Sequence, residues 1–303
     1  MSALPLRFLT GLVLPVLVSC FVVPAAVAYH PNHLPIWKLS DEDSTVFLAG
    51  SVHLLRESDL PIPSGFDEVY RNSEEVVFEI DMATMMSPAM ALRIRELGTL
   101  PEGESLESRI GPDAMVRIRD YLGKRSLPEN LFDRFTPGMA YITIGSLEAT
   151  RLGARPDLGL EVRYYRKSVN DNKPSRGLET AEYQISLFKY IDDEFMTELI
   201  LETLEETDDA SQEDLDEIID AWKSGDAMEM ETMIVEKMGT SETVQDAVLF
   251  QRNENWIEPI IKALEGSSNV MFLVGAAHLA GEKSVVDLLE KRGFVVEQLS
   301  AED

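Results

Sequence analysis

A chain of 303 residues with 45% hydrophobic content can bury a sizeable core, as one large domain or two small ones. Its 54 acidic against 27 basic residues leave a formal net charge of −27, which repels nucleic-acid phosphates and anionic membranes, attracts cations and argues against nucleic-acid binding. Cys20 is the only cysteine, so the folded part has no disulfide framework and no thiol nucleophile or ligand.

The first 28 residues read as a targeting segment. MSALPLR brings one positive charge, an apolar run extends from Phe8 to Val23, and AVA at 26–28 fits cleavage before Tyr29. The run contains Gly11, Pro15 and Ser19 and is short for a membrane span. LVSC, ending at Cys20, resembles a bacterial lipobox; that alternative would anchor the mature chain in a membrane through a lipidated cysteine, although FVVPAAVA after it is apolar where a polar tether is usual. Both routes export the chain, to the periplasm or beyond. His30 and His33, in YHPNHLPIW just past the cleavage point, read as part of a flexible mature N-terminus and not as a metal pair.

From Trp37 to Asp81 the pattern is strand, loop, helix, strand. STVFLAG is rich in β-formers and ends at Gly50, SGFDEVYRNS suits a short helix opened by a Ser cap, and EVVFEID is a strand with Val77, Glu79 and Asp81 on one face. Residues 83–150 hold short helices broken at Pro88, Gly103, Gly111, Pro128 and Pro137. A helix is expected from about Gly159 to Ser168, a short strand at PSRGLE, and a helix from Thr180. The acidic stretch at 192–250 interleaves carboxylates with Leu, Ile and Met at helical spacing, which describes amphipathic helices with a solvated face and not a metal-binding tract. NVMFLVG, EKSVVDLLEKRG and FVVEQL then repeat strand, helix, strand. These elements predict a single α/β domain over 29–303, with a mostly parallel sheet built from two similar β-Gly-x-x-His-α-β units and helical insertions at about 83–150 and 185–250.

The chemistry sits in the repeat. FLAGSVHL (47–54) returns as FLVGAAHL (272–279), so two of the four histidines, His53 and His278, follow matching strands three residues after Gly50 and Gly275. Reactive groups in an open parallel sheet gather at the carboxyl ends of strands. Two neutral imidazoles there are good ligands for a borderline divalent metal such as Mn, Co or Zn, and Glu79 is the preferred carboxylate to complete the set. Asp81 is a weaker choice on the same face, and Glu297 holds the corresponding place in the second unit. Glu179, in RGLET, could be a ligand, a base or a partner that orients a histidine; the plain alternative is a helix-start carboxylate beside the cap Thr180. QRNENW puts Arg252, Asn253 and Trp256 on one helix, where the polar pair could hold a substrate carbonyl or steady an oxyanion, or Arg252 could simply bridge to acids. No nucleophile elbow, dinucleotide fingerprint or P-loop is visible.

GSVH and GAAH, FEID with Glu79, GLET with Glu179, RN-x-x-W from Arg252 and the AWKSGD segment, in this order and spacing, resemble the TraB/GumN family, related to the Tiki proteases. The resemblance covers roughly residues 35–300. It implies an α/β fold shared with erythromycin-esterase-like and ChaN-like proteins and, for the Tiki branch, metal-dependent proteolysis with His53, His278 and Glu79 as the functional set and Arg252 as helper. Two positions depart from the family pattern. Gly159-Leu160-Glu161 replaces Gly-hydrophobic-Asp, and Tyr183 stands before Gln184 where Glu is usual; both bear on substrate preference more than on metal binding. The expectation is an exported metal-dependent hydrolase of peptides or proteins, with Glu79, Glu179 and Arg252 as catalytic residues. The alternative is a non-catalytic protein that binds a metal, a haem-like cofactor or a peptide in the same cleft, and a third reading makes the acidic helices an interaction surface.

Overall fold

The computed structural model describes residues 33–188, 191–209, 212–238 and 245–300. The expected leader, Cys20 and His30 lie outside the described residues. Six strands form one sheet: β1 (His33–Ser40), β2 (Thr45–Ser51), β3 (Glu75–Ile80), β4 (Ser175–Glu179), β5 (Val270–Gly275) and β6 (Glu297–Ser300). Their order is β4-β3-β5-β2-β1-β6. The first four in that order run parallel, and β1 is antiparallel to both of its neighbours. The expected α/β class with a mostly parallel sheet is therefore observed.

The helices, in chain order, are α1 (Gly65–Asn72), α2 (Met82–Met85), α3 (Pro88–Leu97), α4 (Leu106–Ile110), α5 (Pro112–Lys124), α6 (Pro137–Arg151) and α7 (Leu160–Asp171). They continue with α8 (Ala181–Leu187), α9 (Asp193–Asp209), α10 (Gln212–Ser224), α11 (Ala227–Met238), α12 (Gln251–Leu264) and α13 (Val285–Lys291). Pro88, Pro112 and Pro137 stand in the first helical turns, where a missing N–H costs nothing, and Ser87, Ser105, Thr136, Thr180 and Ser284 each accept a backbone N–H at a helix start. What breaks one helix in the sequence thus begins the next.

Two cores result. Strand residues such as Leu48, Val76, Phe78 and Phe272 pack with Phe66, Tyr164, Trp222 and Trp256 from the covering helices. A second core joins the two helical insertions: Leu106, Ile118, Leu122 and Ile144 meet Ile200 and Leu204 of α9. Burying a side chain of this size stabilises by roughly 1.5–3 kcal/mol. The acidic helix α9 turns Met196, Ile200 and Leu204 inward, as its spacing predicts.

One expectation is corrected. His33 does not belong to a flexible terminus; it opens β1, which no strand signal before Ser44 anticipated, and β1 lies between β2 and β6. The two β-Gly-x-x-His-α-β units are alike locally but not in place. β5 inserts between β2 and β3, the two strands of the first unit, whereas β6 goes to the far edge beside β1. Parallel pairing sets Gly50 opposite Val274 and Ser51 opposite Gly275, so the repeated stretches lie side by side, offset by one residue.

Candidate functional site

The carboxyl ends of β4, β3, β5 and β2 are adjacent, and each delivers a polar group. Glu179 closes β4, Glu79 lies near the end of β3, His278 ends the single helical turn Ala276–His278 after β5, and His53 follows β2. Gly275 lies at their centre. A Cβ there would sit 3.1 Å from Glu79 Oε1, 3.6 Å from His278 Cδ2 and 3.9 Å from His53 Nε2. The absence of a side chain lets the backbone approach the carboxylate, and the Gly275 N–H donates to Glu79 Oε1 at 2.6 Å.

His53 is directed by a residue 108 positions away. Its Nδ1 is 2.9 Å from Glu161 Oε1, and the Ser51 hydroxyl donates to the same oxygen. Glu161 is in the first turn of α7, whose start is fastened to the His53 loop by the Leu160 N–H on the Val52 carbonyl at 3.2 Å. Gly159 permits this approach, because a Cβ there would collide with the His53 carbonyl. The negative charge of Glu161 raises the His53 pKa above its ordinary value, a pull that solvent screens over a side chain 66% exposed. The Glu161 carboxyl, which burial alone would raise, is held lower by His53 and Ser51.

His278 is the opposite case. Its side chain is only 4% exposed and packs against Trp256 with ring centroids 4.3 Å apart. Nδ1 lies 2.6 Å from Asn253 Oδ1 and Nε2 lies 3.0 Å from Arg252 Nη1. Arginine can only donate, so Nε2 is the unprotonated nitrogen and Nδ1–H donates to Asn253. Burial pushes the His278 pKa down to about 3, so this imidazole is neutral near pH 7.

Arg252 ties the site together. Nη2 donates to Glu79 Oε2 at 2.6 Å and lies 3.0 Å from Glu179 Oε2. Nε reaches Glu179 at 3.0 Å, and Nη1 reaches His278 and the Val248 carbonyl. Hydrogen bonds to Glu179, Val248, His278 and Glu79 engage four of its five N–H groups, and the second Nη2 N–H lies in the ion pair with Glu179. Gln184 Nε2 bridges Glu79 and Glu179 at 3.1 and 3.0 Å, and the Trp256 N–H donates to Glu179 at 2.8 Å. Burial alone would raise Glu79; positive charge around it and the Gly275 N–H keep it well below the usual carboxylate range. Since His278 is neutral near pH 7, Arg252 is the main source of that charge inside the site.

His53, His278, Glu79, Glu179, Arg252 and Trp256 therefore share one place. Asp81 and Glu297 do not. Asp81 caps α2 by accepting the Thr84 N–H at 2.7 Å, and Glu297 pairs with Lys38 at 3.2 Å on the far side of the sheet. Glu161 and Gln184 belong to the site although sequence reading assigned neither a part in it, and Asn253 acts on His278 and not on a substrate. The only signals were the departure at Glu161 and the position of Gln184 beside Tyr183.

As a cation site the donor set fits in its chemistry. Each imidazole has Nδ1 held by a protein oxygen, the arrangement that presents Nε2 to a metal, and a carboxylate lies between them. Glu79 Oε1 and His278 Nε2 are 3.8 Å apart, within the span of roughly 4 Å open to two donors on one zinc-sized cation. Among the described residues, no group of three or more His, Cys, Asp or Glu side chains is arranged to hold a metal ion as it stands. The obstacle is Arg252, whose Nη1 covers the His278 Nε2 lone pair.

An apolar cleft of about 430 Å³ opens beside His53. Leu215, Ile218, Ile219 and Trp222 of α10 and Met230 of α11 form one wall, and the loops carrying Ser51–Leu54 and Gly275–Ala277 form the other. No helix among the described residues is long and apolar enough to cross a membrane.

The sequence profile of the TraB/PrgY/gumN family matches residues 35–298. Among curated proteins, the chain is similar to "Uncharacterized protein YbaP" of Escherichia coli (strain K12), 23% identical over 80% of this chain and 86% of that protein. The Shigella flexneri protein of the same name matches to the same extent. A "Metalloprotease TIKI homolog" of Amphimedon queenslandica is 21% identical over 94% of this chain and 66% of its own length. No solved structure matches the chain.

Proposed function

The chain belongs to the TraB/PrgY/gumN family, and from that membership and the geometry of the site we propose that it is an exported, metal-dependent hydrolase of peptide bonds. One observation carries the reading: His53 Nε2, His278 and Glu79 Oε1 converge within 4 Å of a single point beside Gly275, with each imidazole fixed through Nδ1 by its own oxygen acceptor. The similarity to a metalloprotease homologue supports the same chemistry. His53, His278 and Glu79 would hold a divalent cation, manganese, cobalt or zinc. Such a cation supplies Lewis acidity and activates water.

The residues of the chain have distinct tasks. Glu79 stays ionised and contributes negative charge to the cation. Arg252 holds Glu79 and Glu179 in place, and its contact with His278 Nε2 would have to open for that nitrogen to hold a cation. Glu161 keeps the proton on His53 Nδ1, and Asn253 does so for His278. Glu179 serves as the anchor of Arg252 and not as a proton acceptor, because Arg252, Trp256 and Gln184 already occupy it. In the overall reaction the water oxygen bonds to the carbonyl carbon, the C–N bond breaks, and the leaving amine takes a proton. Export rests on the leader at 1–28, with lipid anchoring through Cys20 as its variant.

Metal-free protein refilled with Mn²⁺, Co²⁺ or Zn²⁺ should gain cleavage of a peptide library. Elemental analysis should show the same metal lost from His53→Ala and from His278→Ala. Unchanged cleavage by His53→Ala would overturn the mechanism. A second reading, a non-catalytic binding protein, is favoured by the guanidinium that already neutralises Glu79 and covers His278. It predicts ligand binding without turnover across the library.

A further inference from the structure

The cleft beside His53 has a chemical character of its own. Its α10 and α11 wall is made of Leu215, Ile218, Ile219, Trp222 and Met230, and among the described residues no charged side chain other than His53 lines it. Apart from His53 Nε2, the side-chain polar groups of its described lining are already used. The Ser51 hydroxyl donates to Glu161, and the Trp222 indole N–H donates to the Gly50 carbonyl at 2.8 Å, so the ring is left as an apolar surface. Away from His53, a polar occupant would lose water without gaining a side-chain partner among the described lining residues, at a cost of order 1–3 kcal/mol per group. An apolar one gains roughly 25 cal/mol for each Å² buried. The volume of about 430 Å³ lies near the lower end of ordinary ligand pockets, enough for one large side chain with its backbone and too small for a folded partner.

Position selects the occupant. The cleft ends at His53 and at Gly275–Ala277, the place where the two imidazoles and Glu79 converge. We propose that it receives a bulky apolar side chain, of phenylalanine, leucine or methionine size, from the peptide residue next to the bond that is cut. This rests on the hydrolase reading and names its substrate class. The net charge of −27 adds a second bias, against acidic residues flanking that position.

The test uses the full chain and blocked peptides that differ at one residue, Phe, Leu, Ala or Asp. With metal-loaded protein, kcat/KM for Phe and Leu should exceed that for Ala by about 10–100-fold, with Asp lowest. Ile218→Trp and, from the opposite wall, Ala277→Leu fill the cleft; each should lower the Phe-over-Ala ratio at least tenfold, mainly through KM. Calorimetry on the metal-free chain reads the cleft without turnover, and there the Phe peptide should bind at least tenfold more tightly than the Ala peptide. Selective binding without cleavage would sustain the cleft and overturn the hydrolase. Cleavage with no preference between Phe and Ala, or equal losses on both peptides in the two variants, would overturn the cleft and leave the hydrolase standing. A chain that neither binds nor cleaves overturns both.

Discussion

His53 and His278 leave neighbouring parallel strands through nearly the same eight residues, yet they end in opposite environments. One ring is 66% exposed, hydrogen-bonded to a carboxylate and raised in pKa; the other is 4% exposed, bonded to an amide oxygen and a guanidinium, and lowered. Local sequence sets where each imidazole emerges. Its protonation is set by residues far along the chain: Glu161 for the first, Asn253 and Arg252 for the second. A repeated motif therefore delivers two imidazoles of one type but not two equivalent ones.

The comparison breaks most severely at Arg252. Arg252→Met leaves Glu79 and Glu179 buried without their counter-charge, and removing one partner of a buried ion pair costs about 3–5 kcal/mol. The midpoint of urea unfolding should fall accordingly, and Arg252→Lys should restore little, because one ammonium cannot span four partners. Next are the two orienting residues. Glu161→Gln and Asn253→Ala should each weaken metal affinity by about 10–100-fold in a competition titration. Only Asn253→Ala, which orphans a buried N–H, should also lose about 1–3 kcal/mol of stability.

The protonation difference can be read directly in the metal-free chain by NMR. His53 should titrate above 6.5, and His278 should stay neutral down to about 3. The sign for stability follows from linkage. His278 is depressed on folding, so its contribution is complete above the unfolded pKa of about 6.5 and is lost as pH falls toward 3. His53 is raised, so its smaller, solvent-screened contribution is present below about 6.5 and is lost as pH rises through the folded value. In Glu161→Gln the His53 pKa should drop back toward its ordinary value while that of His278 stays where it is. The smallest effect is expected in the second unit, where Glu297→Ala removes only an exposed pair with Lys38 and should change stability by less than about 0.5 kcal/mol, with metal content unaltered.

Much of this centre was legible in the sequence because strand ends, glycines and single polar residues carry position. Gly-x-x-His after each strand, Glu79 and Glu179 at the ends of theirs, and Arg252 with Trp256 on one helical face all meet in the structure. The partners of those groups were not legible. Glu161 and Gln184 are two more acidic and amide residues in a chain full of them, and only the paths of α7 and α8 bring them to His53 and Glu79. β1 was missed because HLPIWKLS has no alternation and contains Pro35, which speaks against an interior strand. The strand is tolerated because its pairing with β6 is irregular between His33 and Trp37. The inequivalence of the two units was equally hidden, since nothing local separates a strand that joins β5 from one that joins β1.

The insertion of β5 between β2 and β3 bears on when the protein can act. During synthesis the strands flanking that slot are made some 190 residues before the one that fills it, and until residues 270–275 arrive neither the sheet nor the histidine pair can close. A nascent or truncated polypeptide lacking them therefore cannot assemble the place where the two imidazoles and Glu79 converge.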